Sequence, residues 1–249
     1  MNQPVNSAIT WRSQLLLWLL GMMGVLSLLL LPLPPLGETP LSPIALRVLV
    51  LAQPTILLTI AVLTGSRLAL SVGLQAPVIV ALSNRQNGWQ LLQPQLWPAL
   101  LGGLLSSVLF WAIAGVGQFL LPPAFSTASA PPLLLRFLYG GITEEILLRW
   151  GLMTFLLWLG WRWGQRRQGS PQKFWVTIAI LLSALVFAAA HLPYAAAIGL
   201  PLTPVLIGYL LLQNGLFGLV AGYLYWRYGL EGAIVAHWGV HIVLAILQG

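Results

Sequence analysis

Apolar segments of membrane-spanning length fill most of the chain and limit its possible folds more than any other feature. A bilayer core about 30 Å thick needs roughly 20 apolar residues in a helix. Seven segments approach this length: 15–31, 44–64, 98–121, 133–161, 174–191, 204–226 and 230–247. Only 6% of the 249 residues are charged, whereas a soluble domain has about a quarter. The sequence therefore predicts an all-α, polytopic transmembrane helix bundle without a separate soluble domain.

Segment 68–82 is the uncertain part of this topology. It is shorter than the others and contains Gln75 and Pro77, so it can be a span, a re-entrant piece or an interfacial helix. Without it the bundle has seven spans, and with it eight. We divide the single continuous membrane domain into amino-terminal spans, 1–130, and a helical core that carries the candidate site, 131–249.

The distribution of positive charge predicts the orientation. One short connection is rich in basic residues, which favour the cytoplasmic side of a membrane. These residues are Arg162, Arg166, Arg167 and Lys173. With seven spans, the amino terminus lies inside and the carboxyl terminus outside, and Arg47 and Arg136 must snorkel outward as exceptions. We expect an integral protein of a bacterial plasma membrane or a related internal membrane.

Absent residue types exclude several kinds of chemistry. The chain has no Cys and no Asp, which excludes thiol catalysis, thiolate metal sites and an aspartate pair. The net charge of +7 is scattered along the chain and does not form a stripe for nucleic acid, so the predicted partner is the lipid bilayer. Its four carboxylates are Glu38, Glu144, Glu145 and Glu231.

Ionisable residues nevertheless cluster inside three predicted spans. An ionisable side chain within a membrane costs at least about 2.5 kcal/mol, so such residues usually mark function. The residues are Glu144, Glu145, Arg149, His191, His237 and His241. They include every His of the chain and two of its four carboxylates. A Glu–Arg pair alone can merely fasten helices together, but the whole set predicts a functional site.

Helical spacing predicts how these side chains are arranged. Residues four apart lie on one helix face, so Glu145 can pair with Arg149 while Glu144 points elsewhere and remains free to exchange protons. His237 and His241 also share a face. Phe187 and His191 share a face in the same way, and Pro193 is expected to end their helix.

Such a set of groups favours hydrolysis. A carboxylate and imidazoles can deprotonate a water, and imidazole N–H groups can stabilise an oxyanion. Alternatively, Glu144, His191 and His237 can bind a divalent metal such as zinc with a water in the open position. The sequence leaves open whether the site uses a metal cofactor or none.

The motifs resemble those of a known family. A Glu-Glu-x-x-x-Arg motif at 144–149 is followed by Phe-x-x-x-His at 187–191 and His-x-x-x-His at 237–241. Together they are similar to the signature of the CPBP (ABI) family of CAAX prenyl proteases type II and bacteriocin-processing proteins. Position 241 is usually Asn in that family, so His241 is a departure. The resemblance covers the chain from about residue 133 to its end.

The resemblance implies roles for these residues. It implies a bundle of about eight spans, in which Glu144 and His191 activate water while His237 and His241 form the oxyanion hole. Glu145 and Arg149 would order the helix that carries Glu144. The expected activity is intramembrane cleavage of a peptide or a membrane-protein tail. Two alternatives remain: a non-proteolytic scaffold or immunity protein, and a haem-binding or proton-relay protein.

Overall fold

The computed structural model describes residues 9–32, 42–121, 125 and 130–248, and every regular element in these parts is a helix. Six helical stretches among them are long and apolar enough to cross a membrane. We number the helices α1 Trp11–Ser27, α2 Pro43–Leu68, α3 Pro77–Ser83, α4 Trp89–Gly117, α5 133–164, α6 Lys173–Ala189, α7 Leu192–Ala197, α8 Pro204–Tyr228 and α9 Leu230–Gln248. Short 3₁₀ segments extend α1 through Leu28–Leu30 and α2 through Ala69–Val72. The prediction of an all-α membrane bundle is confirmed.

Helix α5, which carries the first motif, is not a regular α-helix. Its segments Arg136–Glu144, Ile146–Met153 and Gly160–Gly164 have π-helical hydrogen bonds, in which an N–H reaches the carbonyl five residues earlier. The sequence interpretation assumed α-helical spacing throughout. Wider π-helical turns are frequent at functional sites, and here they flank Glu145 on both sides.

Proline marks one helix start that the sequence misplaces and one boundary that it predicts correctly. Helix α4 begins at Trp89, whereas the predicted span begins at residue 98. Pro94 and Pro98 lie inside the helix and do not mark its start. Membrane helices tolerate internal Pro when neighbouring groups satisfy the freed carbonyls. By contrast, α6 ends at Ala189, and Pro193 lies in the first turn of α7, as expected for a break beside His191.

Segment 68–82 contains no helix that can cross a membrane. Its first residues complete the 3₁₀ extension of α2, Gly73 turns the chain with a φ of 74°, and α3 follows after a short loop. A helix as short as α3 covers only about a third of the bilayer core. The eight-span alternative is thus not supported, and since α5 is not among the six stretches of spanning length, seven spans and the orientation of the bundle stay predictions.

The buried carboxylate of Glu231 holds α3 against the start of α9. Its Oε1 accepts a hydrogen bond of 2.9 Å from the backbone N–H of Ile79, in the first turn of α3. The residue preceding α3 is Ala76, which has no side chain able to cap the helix. Next to this contact, Leu230 donates its N–H to the carbonyl of Gln75 at 3.1 Å. Glu231 thus acts as a helix cap supplied from a distant part of the chain.

Replacing Glu231 by Ala should destabilise the bundle. The N–H of Ile79 would lose its charged acceptor, which corresponds to about 1–3 kcal/mol. Thermal unfolding of the purified protein in detergent measures the effect. Glu231→Gln, which keeps an acceptor oxygen, is the matched control and should lie closer to the wild type. An unchanged melting temperature in Glu231→Ala would contradict the capping role.

The amino-terminal helices pack directly on α5. Thr143 of α5 donates its hydroxyl to the carbonyl of Gly21 in α1 at 2.7 Å. A Cβ added to Gly151 of α5 would lie 2.5 Å from the Cβ of Ala61 in α2. Small residues thus allow the helices to approach each other closely. In a membrane, such close packing drives helix association in place of the hydrophobic effect. One buried core includes residues of both halves of the chain.

Candidate functional site

A fully buried ion pair lies at the centre of the polar cluster. The Nε of Arg149 is 3.2 Å from Oε2 of Glu145, and neither side chain is exposed. Arg149 also donates from Nη2 to the carbonyl of Gly218 in α8 at 3.2 Å. The predicted pairing of Glu145 with Arg149 is confirmed, and Arg149 fastens α5 to α8.

Glu145 has a second partner that the sequence did not indicate. Its Oε1 lies 2.8 Å from Nδ1 of His237 in α9, a side chain almost fully buried. A carboxylate can only accept, so Nδ1 of His237 carries the hydrogen. The neutral ring then presents a bare Nε2, and His237 can donate from Nε2 only as an imidazolium.

The ring of Phe187 joins the three motifs. The guanidinium carbon of Arg149 lies 4.6 Å from its centroid, a cation–π distance. The rings of His191 and His237 lie edge-on to it, with centroids 4.9 and 6.0 Å away. Nδ1 of His191 lies 2.8 Å from the backbone carbonyl of Phe187. A carbonyl oxygen only accepts, so Nδ1 is the donor. Nε2 of His191 consequently keeps a free lone pair.

His237 and His241 stack on one face of α9, as their spacing predicts. Their ring centroids are 4.8 Å apart and their planes differ by 29°. A Cβ on Gly140 of α5 would lie 2.9 Å from Nε2 of His241 and 3.6 Å from Nε2 of His237. Only glycine leaves room here for both ring edges.

Arg136, which would snorkel outward in a seven-span bundle, contacts His241 of α9. Its Nε donates to Nδ1 of His241 at 3.4 Å, and its Nη2 donates to the carbonyl of His241 at 3.3 Å. Arg136 is half-buried as a result. By contrast, Arg47 donates to the carbonyl of Leu29 at 3.3 Å, in an exposed contact.

Glu144 precedes Glu145 in α5 and does not join its ion pair. It is half-buried, whereas Glu145 is fully buried, so the two adjacent carboxylates differ as the helical geometry predicts. In the described part of the chain Glu144 forms no salt bridge. The structure thus links Glu145, Arg149, Phe187 and the three histidines by direct contacts, and Glu144 immediately precedes Glu145 in α5.

The region that carries these side chains matches a known family model. Residues 125–243 match the type II CAAX prenyl endopeptidase Rce1-like family. This region belongs to that family. No curated protein and no solved structure shows significant similarity to the chain. The Rce1-like family is one of CAAX-type intramembrane proteases, and the resemblance seen in the motifs is confirmed.

The arrangement of the Rce1-like site can be compared with the needs of a metal ion. Bare Nε2 atoms on His191 and His237 suit zinc chemically, and zinc needs at least three donors around one point. Among the residues that the structure describes, no three His, Cys, Asp or Glu side chains lie close enough to hold one ion. The spacing therefore does not fit the ligand set of Glu144, His191 and His237, and we assign no step to a metal.

Three residues of the Rce1-like site were missed by the sequence analysis. They are Arg136, Gly140 and Phe217, whose ring centroid is 4.4 Å from that of His237. One signal was present, because residues 136, 140 and 144 are spaced by four along a helix that leads to Glu144. No comparable signal singled out Phe217 among the many apolar residues of its span.

Proposed function

We propose that the chain is an intramembrane endopeptidase that hydrolyses a peptide bond in a membrane-associated peptide or protein tail by direct attack of water. One observation carries this proposal. A cluster of three histidines, whose ring nitrogens have different hydrogen-bonding roles, contacts α5 at Glu145, the residue that follows the half-buried carboxylate of Glu144. Such a site can both accept a proton and stabilise an oxyanion.

Glu144 and His191 activate the water in this proposal. Glu144 is not neutralised by an ion pair in the described part of the chain, so its carboxylate is available to take a proton. The Nδ1–H of His191 is bonded to the carbonyl of Phe187, which leaves a free Nε2 lone pair for a second hydrogen of the water. The water oxygen bonds to the substrate carbonyl carbon, and its proton passes to Glu144.

His241 and His237 stabilise the oxyanion formed on the substrate. His241 donates from Nε2, since its Nδ1 accepts from Arg136. His237 contributes as an imidazolium, whose charge would lie beside the Glu145 carboxylate 2.8 Å away. Glu144 then returns the proton to the amide nitrogen, the carbon–nitrogen bond breaks, and a free carboxyl and a free amine leave.

Glu145, Arg149 and Phe187 support the reacting groups. Glu145 orients His237, Arg149 compensates the buried carboxylate charge, and Phe187 packs against both the guanidinium and two imidazoles. These contacts fix the side-chain rotamers and so keep the catalytic groups within the small range of positions that the reaction requires.

A cleavage screen tests the proposed function. The purified protein in liposomes of bacterial lipids is mixed with fluorogenic peptides anchored in the membrane, either through an apolar segment or through the prenylated Cys of a carboxyl-terminal Cys-a-a-X sequence. We expect the wild type to cleave at least one class and to retain its rate after metal chelation and dialysis. The triple variant Glu144→Ala, His191→Ala, His237→Ala should cleave none.

Each other outcome of the screen has a definite meaning. A folded wild type that cleaves neither class would contradict the proposal and favour a non-proteolytic scaffold. Stoichiometric zinc in the purified protein, lost together with activity on chelation, would replace the metal-free mechanism by a metal-dependent one. Comparing the two peptide classes shows whether a prenyl group is recognised.

A further inference from the structure

In their neutral forms, the three histidines of the site are held in two different tautomers. Nδ1 is the donor in His191, to the carbonyl of Phe187, and in His237, to the carboxylate of Glu145. In His241 the partner of Nδ1 is the guanidinium of Arg136. A guanidinium has five N–H donors and no acceptor, so Nδ1 of His241 must accept.

The hydrogen of neutral His241 therefore lies on Nε2. This atom is buried from solvent and has no hydrogen-bond partner among the described residues. It packs against Gly140, where an added Cβ would lie 2.9 Å from it and 3.6 Å from Nε2 of His237. A buried N–H without an acceptor is costly, which indicates that an acceptor arrives from outside the chain.

We propose that Arg136 is a positioning residue that holds His241 in the Nε2–H tautomer, so that His241 donates to the substrate oxygen as it becomes an oxyanion. The inference deepens the proposed function and rests on it for the identity of the acceptor. Arg136 does not touch the substrate. It fixes the ring through two hydrogen bonds, one to Nδ1 and one to the carbonyl of the same residue.

Loss of Arg136 should affect the rate more than substrate binding. Without its donors, the hydrogen of His241 can move to Nδ1, and Nε2 would then face the oxyanion with a lone pair. Removing one oxyanion donor typically costs about 100-fold or more in kcat. Without Arg136, part of the His241 population still carries its hydrogen on Nε2. We therefore expect Arg136→Met to lower kcat by about 10–100-fold with little change in KM.

Two matched controls separate positioning from a general effect on folding. Arg47→Met removes the other arginine that begins a predicted span and bonds a backbone carbonyl, and it should leave kcat unchanged. His241→Asn replaces the imidazole by an amide N–H that has no tautomers. In the His241→Asn background, Arg136→Met should change kcat less than about twofold, because there is no tautomer left to fix.

Nuclear magnetic resonance gives a readout that does not depend on activity. The chain has three His residues, so ¹⁵N-histidine labelling gives few signals, which single His variants assign. In the wild type, His241 should show the Nε2–H tautomer, opposite to that of His191. In Arg136→Met, the ¹⁵N chemical shift of Nδ1 of His241 should move towards the value of the Nδ1–H tautomer.

The inference and the proposed function can fail separately. A wild type with an Nδ1–H tautomer at His241, or an equal loss of kcat from Arg136→Met in both backgrounds, would overturn the role of Arg136. If the tautomers are as expected but the wild type cleaves no peptide, Arg136 still positions His241 and only the acceptor and the proposed function are wrong.

Discussion

Replacing Glu144 by Gln should lower kcat for peptide cleavage by about 1000-fold while the protein remains folded. The amide has nearly the same size as the carboxylate but cannot take a proton from water. Because Glu144 is half-buried and forms no salt bridge in the described residues, its loss should leave the melting temperature nearly unchanged. Initial rates in liposomes and thermal unfolding in detergent, on the same preparation, measure both effects.

Thr55→Val is the matched control for this variant. Thr55 also lies in a membrane helix, but its hydroxyl donates to the carbonyl of Leu51 in the same helix, at 2.7 Å, and not to a residue of the candidate site. Its replacement should preserve the cleavage rate. If Glu144→Gln cleaves as fast as the wild type, Glu144 is not the base, and the water must be activated by another group.

Replacing Arg149 by Leu should strongly lower the stability of the protein. Removing one partner of a buried ion pair leaves the other charge uncompensated, at a cost of about 3–5 kcal/mol. Here Glu145 would be left fully buried with His237 as its remaining partner. The bond to Gly218 and the contact with Phe187 would also be lost. Unfolding in mixed micelles with increasing denaturing detergent measures the difference.

The double variant Glu145→Gln, Arg149→Leu tests the cause of this loss. With both charges removed, no uncompensated carboxylate remains, and the new amide oxygen can still accept a hydrogen bond from His237. We therefore expect the double variant to be more stable than Arg149→Leu alone. Additive losses from the two changes would show that packing, and not the buried charge, explains the destabilisation.

Local sequence patterns were sufficient for features that depend on neighbouring residues. Apolar runs predicted the all-helical bundle, because a membrane leaves a helix as the simplest way to satisfy the backbone. The spacing of four predicted the ion pair of Glu145 with Arg149 and the stacking of His237 on His241. Scarcity of charge made the cluster conspicuous, because ionisable groups are costly in a membrane.

Other features depend on groups far apart in the chain and could not be predicted. The bond from His237 to Glu145 joins residues 92 positions apart, and the cap of Ile79 by Glu231 joins residues 152 apart. The π-helical turns of α5 were also missed, since hydropathy does not report the hydrogen-bond register of a helix. The contact of Arg136 with His241 was also missed, because the two residues lie in different helices, 105 positions apart.

The most direct test of the central claim is mass spectrometry of the products that the wild type forms in H₂¹⁸O from a membrane-anchored peptide. Direct attack of water predicts two fragments, one ¹⁸O atom in the newly formed carboxyl group, and no peptide attached covalently to the protein during turnover. Absence of fragments from every peptide, or accumulation of a peptide bound covalently to the protein, would contradict the account.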